Sequence, residues 1–202
     1  MTYLVRPVRA EEWREVRELR LAALRDPVAH LAYLDTYEEA AARPDAHWRE
    51  RAGRAAAGVV ARQFVAVAPG GRWVGSVTAL VEREGHDVLF GTPPKVDQTH
   101  LVGVYVRPEA RGSGVAEALL RAAAEWSWSL REPVVRRVRL YVHEHNARAA
   151  ALYRKAGFVP SGVVDSVECG PEPEQAGAVE VEYELPRPVA SPGAAEGAGT
   201  GV

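Results

Sequence analysis

The residues with the clearest chemical potential form a glycine-containing turn between an apolar, strand-like segment and a long amphipathic segment. The turn consists of Arg111, Gly112, Ser113, Gly114, Val115 and Ala116. Glycines let backbone N–H groups approach an anion closely, and the first turn of a helix adds unpaired N–H donors and the positive end of its dipole. Arg111 adds a fixed cation beside the turn. The pattern therefore predicts a site for a phosphate-bearing ligand.

Three phosphate-binding patterns lead to different functions. A Walker loop needs a Lys-Ser/Thr pair after its last glycine, and the turn has none. A dinucleotide fingerprint needs a small third residue for close packing of helix on sheet, and Glu117 stands there. The third pattern, Gln/Arg-x-x-Gly-x-Gly/Ala, fits residues 111–116. It resembles the pyrophosphate loop of the Gcn5-related N-acetyltransferases, which bind acetyl-coenzyme A.

A second segment, Asn146 to Phe158, supports the same resemblance. It has the sequence Asn-Ala-Arg-Ala-Ala-Ala-Leu-Tyr-Arg-Lys-Ala-Gly-Phe and resembles the family segment Asn-x-x-Ala-x-x-Leu-Tyr-x-x-x-Gly-Phe. The two motifs occur in the family's order with a strand-like segment between them. The resemblance covers most of residues 3–185 and is specific between residues 100 and 160.

Hydrophobic periodicity predicts the element order β-α-α-β-β-β-α-β-α-β-β. Alternation of strands and helices in the middle, with hairpins at both flanks, predicts a mixed α/β (α+β) fold with a central mixed seven-stranded sheet and about four helices. The resemblance implies that the sheet is splayed open between its fourth and fifth strands, with coenzyme A in the gap. We expect one acetyltransferase domain over residues 1–185 and a disordered tail rich in Pro, Gly, Ala and Ser over 186–202.

Direct reaction of an acetyl thioester with an amine requires a neutral amine, donors for the developing oxyanion and an acid for the leaving thiolate. Backbone groups along the strand could hold the pantetheine arm as an added strand would, which nominates Val104, Tyr105 and Val106. Tyr153 is the candidate general acid, since a phenol with a pKa of about 10 suits a thiol leaving group. The alternative is that its ring packs in the core with a satisfied hydroxyl.

The candidate base is His100. Some family members carry a glutamate eleven residues before the pyrophosphate loop, and this chain has His100 at that position. Histidine titrates near about pH 6.5 and can take a proton directly or through water. His100 could equally be a histidine at a strand end that faces solvent, in which case a water chain would deprotonate the amine.

Other polar residues have simpler interpretations. His143 and His145 follow a strand without an evident third metal ligand, which favours a polar turn, and no metal is expected. Cys169 has no base placed by a motif, which favours an incidental thiol. Asn146 suits a helix cap, and in the family its counterpart also contacts the coenzyme. An acidic loop could attract a cationic acceptor or simply be solvated; its carboxylates are Glu168, Glu172 and Glu174.

Composition limits the classes of partner and compartment. The chain has 202 residues, a formal net charge of −2 and one cysteine. This charge argues against non-specific nucleic-acid binding, and one cysteine excludes an internal disulfide. Because the first residues lack a secretory pattern and no apolar run reaches the length of a membrane helix, we expect a cytoplasmic protein without membrane association.

The leading functional hypothesis is an acetyl-CoA-dependent N-acetyltransferase that acts on a primary amine of a small molecule or peptide. Two alternatives stay open: transfer of another acyl group or to another acceptor atom, and a non-catalytic acyl-CoA-binding regulatory domain. The alternating strand 179–185 has the pattern of a sheet edge and offers a surface for a homodimer.

Overall fold

A computed structural model describes residues 2–89, 91–167 and 178–188. In chain order its strands and helices are β1 (Leu4–Pro7), α1 (Trp13–Leu24), α2 (Tyr37–Ala42), α3 (Asp45–Ala57), β2 (Ala61–Val67), β3 (Trp73–Glu82), β4 (Gln98–Val106), α4 (Val115–Ser129), β5 (Arg137–His143), α5 (Ala147–Lys155), β6 (Val159–Val167) and β7 (Ala178–Pro186). Short 3-10 turns lie at Ala10–Glu12, Ala29–Leu31 and Pro108–Ala110. The predicted order of strands and helices is confirmed except between β1 and β2, where the structure has three α-helices and two were predicted. In the part of the chain described, no helix is long and apolar enough to cross a bilayer.

The strands form one seven-stranded sheet in the order β1-β2-β3-β4-β5-β7-β6. The pairing is antiparallel except between β4 and β5. This confirms the predicted mixed sheet. The interpretation of residues 179–185 as an edge strand is wrong, because β7 lies between β5 and β6 and both of its edges are paired. The proposed dimer surface along that strand is therefore lost.

The second helix predicted after β1 is divided into two separate helices, α2 and α3. Thr36 and Glu39 have the Thr-x-x-Glu spacing that predicts a capping box at the start of a helix. The structure confirms it, since the Thr36 hydroxyl accepts a hydrogen bond from the Glu39 amide and the Glu39 carboxylate accepts one from the Thr36 amide at the start of α2. Pro44 is extended and precedes α3 directly, so α2 and α3 are separate helices. The described chain thus has five α-helices where about four were predicted, because the proline breaks the helix and does not merely kink it.

Both faces of the sheet are covered by helices. One face packs on α4 and α5, and its core includes Leu101, Leu119, Leu120, Leu140 and Phe158. The opposite face packs on α1 and α3, and its core includes Val16, Leu19, Trp48, Val65 and Tyr105. The sheet is therefore the middle layer of three, which is why strand residues alternate between two separate cores.

The sheet opens between β4 and β5. Only residues 98–100 pair with β5, against residues 137–139, and the two strands diverge beyond this contact. This confirms the expected splay. β4 also carries a bulge, because the register against β3 shifts between the pairs Thr78–Val102 and Ser76–Tyr105. Gly103 lies in the bulge with a φ of 63°, a conformation in which glycine has no steric penalty.

A buried ionic network lies at the closed end of the splay. Arg139 is fully buried and donates to the carboxylates of Glu82 on β3 at 2.8 Å and Glu182 on β7 at 3.0 Å. Arg137 donates to Glu182 at 2.8 Å, and the Gln98 amide donates to Glu82 at 2.7 Å. Burial raises the pKa of Glu182, but its hydrogen bonds and the two arginines outweigh this, so the pKa lies below its ordinary value. The network therefore ties together four strands on both sides of the splay.

We expect Arg139→Leu to lower the free energy of unfolding by about 3–5 kcal/mol, because removing one member of a buried ion pair leaves the carboxylates uncompensated. Urea unfolding followed by circular dichroism measures this. Arg121→Leu on the exposed surface of α4 is the matched control and should change the value by no more than about 0.5 kcal/mol. Equal stability of the two variants would show that the network does not hold the sheet together.

Candidate functional site

The turn before α4 forms a cradle of backbone donors. Gly112 and Gly114 have φ values of 77° and 83°, and Gly114 is the N-cap of α4. The N–H groups of residues 112–116 donate no hydrogen bond to any residue that the structure describes. These donors converge at the positive end of a fifteen-residue helix. The cradle thus has the donor set and the polarity for a phosphate group.

Arg111 lies beside the cradle but is not a free cation. Its Nε donates to the Val106 carbonyl at 2.9 Å, and its guanidinium forms an ion pair with Asp26. The Asp26 side chain is only 5% exposed. Arg111 therefore fixes the end of β4 and the segment after α1 against the turn, and the backbone supplies most of the attraction for an anion.

The edge of β4 beyond residue 100 is unpaired on the side of β5. Val104 and Val106 pack toward the α4 core, while Tyr105 packs into the core beneath α1 and α3. The Val104 carbonyl accepts a hydrogen bond from the Tyr33 hydroxyl at 3.3 Å. Because this edge lies in the splay with its backbone groups unpaired by a strand, it can receive an extended ligand arm as an additional strand.

Tyr153 lies on α5 in the same splayed region. Its ring is 7% exposed and meets Phe158 edge to face at 6.2 Å. Its hydroxyl forms no hydrogen bond within the described residues, so the alternative of a hydroxyl satisfied in the core is not what the structure has. Burial, and then the neighbouring Tyr33, raise the pKa of Tyr153 well above its ordinary value. The phenol therefore stays protonated at neutral pH, as an acid must before the reaction.

The two sequence motifs meet through α5. Lys155 at the end of α5 donates to Glu117 in the first turn of α4 at 2.8 Å. Asn146 caps α5, since its side chain accepts from the Ala149 amide at 3.1 Å, which confirms the predicted cap. The cradle and Tyr153 are therefore held on adjacent helices on the same side of the sheet.

His100 is buried at 2% exposure, so the alternative of a solvent-facing histidine is wrong. Its Nδ1 lies 3.0 Å from the Glu82 carboxylate. Burial raises the pKa of Glu82, but the hydrogen bonds from His100 and Gln98 and the charge of Arg139 outweigh it, so the pKa lies below the ordinary value. An ionised carboxylate only accepts hydrogen bonds. Nδ1 therefore carries the proton, and in the neutral ring Nε2 is the basic nitrogen.

A polar pocket lies on the face of the sheet opposite to α4. It is bounded by α1, α3 and strands β2 to β4, with Tyr33, Gly103 and Tyr105 in its lining. Because Gly103 belongs to the β4 bulge, the pocket adjoins the open edge of β4. Val102 on β4 pairs with the pocket residue Thr78, and His100 lies two residues before Val102. The side chain of His100 therefore projects to the same face of the sheet as the pocket.

The other polar residues and the tail singled out from the sequence either make simple structural contacts or lie outside the described residues. His143 Nδ1 accepts from the His145 amide at 3.1 Å, which is the geometry of a polar turn. No group of three or more potential metal ligands occurs within the residues described. Cys169 and the acidic loop residues lie outside the described ranges, as do tail residues 189–202. At the start of the predicted tail, Arg187 donates to the carbonyl groups of Val135 and Trp128.

Three contributors to the site were not found from sequence. Tyr33 and Asp26 lie in a segment without regular periodicity, and only the folded chain brings them to β4 and Arg111. Glu82 is the only charged residue of β3, and this isolated carboxylate is the local signal that could have identified it. Its partner His100 lies 18 residues away along the chain.

Comparison with known proteins identifies the class to which this fold and site belong. The family model described as Acetyltransferase (GNAT) family matches residues 13–158. The chain belongs to this acetyltransferase family. The resemblance of the two motifs is thereby confirmed.

The individual relatives match this chain either over a short stretch or at low sequence identity. A Bacillus subtilis (strain 168) protein named as a ribosomal protein bS18-alanine N-acetyltransferase is 32% identical over 85 residues, which are 42% of this chain and 54% of the relative. The chain thus spans about half the length of this relative. The GNAT-family acetyltransferase of Streptococcus pneumoniae superposes with a TM-score of 0.72 at 17% identity, over 92% of this chain and 99% of that one. Arabidopsis thaliana NAA60 in complex with acetyl-CoA gives 0.66 at 17% identity over 92% and 99%. These structural similarities establish the shared fold.

Proposed function

We propose that the protein is an acetyl-CoA-dependent N-acetyltransferase that transfers an acetyl group directly to the primary amine of a small molecule or peptide. The observation that carries the proposal is that the N–H cradle follows β4 directly, the edge of β4 is unpaired, and Tyr33, which bonds the Val104 carbonyl on that edge, lies close enough to Tyr153 to raise its pKa. The names of the relatives support it, since one is named for N-acetylation of an alanine and a structural neighbour holds acetyl-CoA.

The residues present fit acetyl-CoA as a cosubstrate that is held by backbone groups. The pyrophosphate would be held by the backbone donors of residues 112–116, and the pantetheine arm by the β4 edge at Val104 to Val106. Bound acetyl-CoA supplies the activated acetyl thioester. A backbone N–H of β4 can stabilise the negative charge that develops on the thioester oxygen, because a fixed donor needs no reorganisation during the reaction.

Tyr153 is proposed as the acid that protonates the leaving sulfur. Its hydroxyl has no competing partner within the described chain, and burial keeps it protonated. A phenol in a dry site also donates a strong hydrogen bond to a thiolate as the charge develops, and the proton then follows this bond.

His100 is proposed as the base that takes the proton of the amine, directly or through one water. The Glu82 carboxylate fixes the tautomer in which Nε2 is basic, and it stabilises the imidazolium that forms when the proton arrives. Glu82 is held in turn by Gln98 and Arg139, so the dyad is oriented by the same network that closes the sheet.

We expect Gly114→Ala to raise the Kd for acetyl-CoA at least about tenfold, because a φ of 83° strains any residue with a Cβ and the cradle must distort. Isothermal titration calorimetry measures the affinity. Gly53→Ala within α3 is the matched control, since nothing lies within 4 Å of its added methyl group. The cradle assignment fails if Gly114→Ala binds as tightly as Gly53→Ala.

We expect Tyr153→Phe to lower kcat by about 10²-fold while the Kd for acetyl-CoA changes less than about twofold, since only the proton donor is removed. Release of free thiol from acetyl-CoA in the presence of an amine library measures the turnover. Tyr183→Phe removes another buried hydroxyl, one bonded to Arg154, and serves as the control. Unchanged turnover would rule out Tyr153 as the acid. Tight acetyl-CoA binding with no turnover on any amine would favour the non-catalytic acyl-CoA-binding alternative.

We expect His100→Gln to lower kcat/KM by about 10²-fold and to remove the acid limb of its pH profile, because a protonated imidazole cannot accept a proton and glutamine has no such transition. The profile is measured with an acceptor of low amine pKa, such as a hydrazide, so that the substrate does not titrate in the same range. His86→Gln changes an exposed histidine in the loop after β3 and should leave the profile unaltered. An acid limb that persists in His100→Gln would assign the base elsewhere.

A further inference from the structure

The pocket beneath α1 and α3 contains polar side chains without partners. Gln63, Ser76 and Thr78 are buried, with exposures between 7% and 8%. None of these side chains forms a hydrogen bond with a residue in the described ranges, and all three line the pocket. Their polar atoms are not among the fully enclosed atoms that lack a partner, so they border the open space of the pocket. These three side chains can therefore form hydrogen bonds with a polar ligand in that space.

The same pocket contains an arginine that forms no ion pair with a carboxylate of the described chain. Arg51 on α3 lines the pocket and forms neither a hydrogen bond nor an ion pair with any part of the chain described. Burial, and then the positive charge of Arg20, lower the pKa of Arg51 to about 10. A negatively charged group beside Arg51 would remove this unfavourable interaction.

Arg20 contributes a second unsatisfied donor. Its Nη2 donates to Asp35 at 3.1 Å and its guanidinium stacks on the Tyr33 ring at 4.3 Å, but its Nε is buried without a partner. Asp35 also accepts from Arg43 at 3.0 Å. Asp35 also attracts Arg51 electrostatically, but it is already bonded to Arg20 and Arg43, so three arginines share this one carboxylate.

We propose that this pocket binds a carboxylate of the acceptor, so that the protein acetylates small amines that also carry a carboxylate group, as amino acids do. The inference rests on the proposed N-acetyltransferase function and specifies its substrate class. The guanidinium fork of Arg51 matches the two oxygens of a carboxylate, and the hydroxyls of Ser76 and Thr78 are neutral donors for the same group. The excess of positive charge around Asp35 favours an anionic group, and the planar guanidinium suits the planar carboxylate.

The position of the pocket places such an acceptor for reaction. Thr78 pairs with Val102 and Ser76 pairs with Tyr105, so these side chains flank the β4 bulge. Tyr33, which lines the pocket, reaches the Val104 carbonyl on the open edge of β4. A carboxylate held by Arg51 on the helix side therefore leaves the amine of a short molecule facing the bulge and the edge assigned to the thioester.

The test compares each amino acid with its carboxamide in the thiol-release assay, since the two differ in the carboxylate and share the amine. Wild-type kcat/KM should be at least about tenfold higher for the acid. In Arg51→Gln the KM for the acid should rise about 10–100-fold, with a much smaller change for the amide, so that the preference approaches unity. Arg54→Gln, an exposed arginine on the same helix, should retain the wild-type preference.

A binding measurement keeps the test independent of turnover and of the variant's folding. The N-acetylated amino acid should raise the Tm of the wild-type protein more than its carboxamide does, because only the acid engages Arg51. Equal use of acids and amides, or preference for a phosphorylated or polycationic amine, would overturn the inference while leaving acetyl transfer intact. No thiol release with any amine and no acetyl-CoA binding would instead refute the proposed function. Equal stabilisation by the acid and its amide would also overturn the carboxylate site.

Discussion

The buried ion pairs of Arg139 maintain the short parallel contact on which the open half of the sheet depends. β4 and β5 share a register only over residues 98–100 and 137–139, which is too little pairing to hold two strands of this length side by side. Arg139 adds charged hydrogen bonds to Glu82 on one side and Glu182 on the other. Because the strands are fixed at one end only, they can diverge at the other and expose a backbone edge. The open edge on which the proposed active site depends is thus a consequence of where the pairing stops.

Much of this fold could be predicted because its signals are local. The capping box at Thr36, the glycine turn before α4 and the Asn146 cap each depend on residues a few positions apart, and each occurs as expected. The edge assignment of β7 failed for the opposite reason. Alternating glutamates normally mark a solvated face, but Glu182 is fully buried against arginines of β5. The alternation of residues within a strand does not show which other strands will pair with it.

The candidate site likewise contains some parts with local sequence signals and others that depend on contacts between distant residues. The cradle consists of main-chain groups, so a short glycine pattern was sufficient to locate it. The partners of His100 and Arg111 are Glu82 and Asp26, which reach them only through the register of β3 on β4 and the return of the chain after α1. The proposed acceptor pocket has no sequence pattern, because its polar residues come from α1, α3, β2, β3, β4 and the segment after α1.

The segment between α1 and α2 touches both halves of the site. Asp26 binds Arg111 beside the cradle, and Tyr33 binds the Val104 carbonyl while lining the proposed acceptor pocket. A ligand that changes one of these contacts alters the conformational free energy of a segment that the other ligand also meets. Such a link is thermodynamically reciprocal: whatever effect the first ligand has on the affinity of the second, the second has on the first. The proposed donor and acceptor sites thus share residues 25–36, a segment that contains one 3-10 turn and no strand of the sheet.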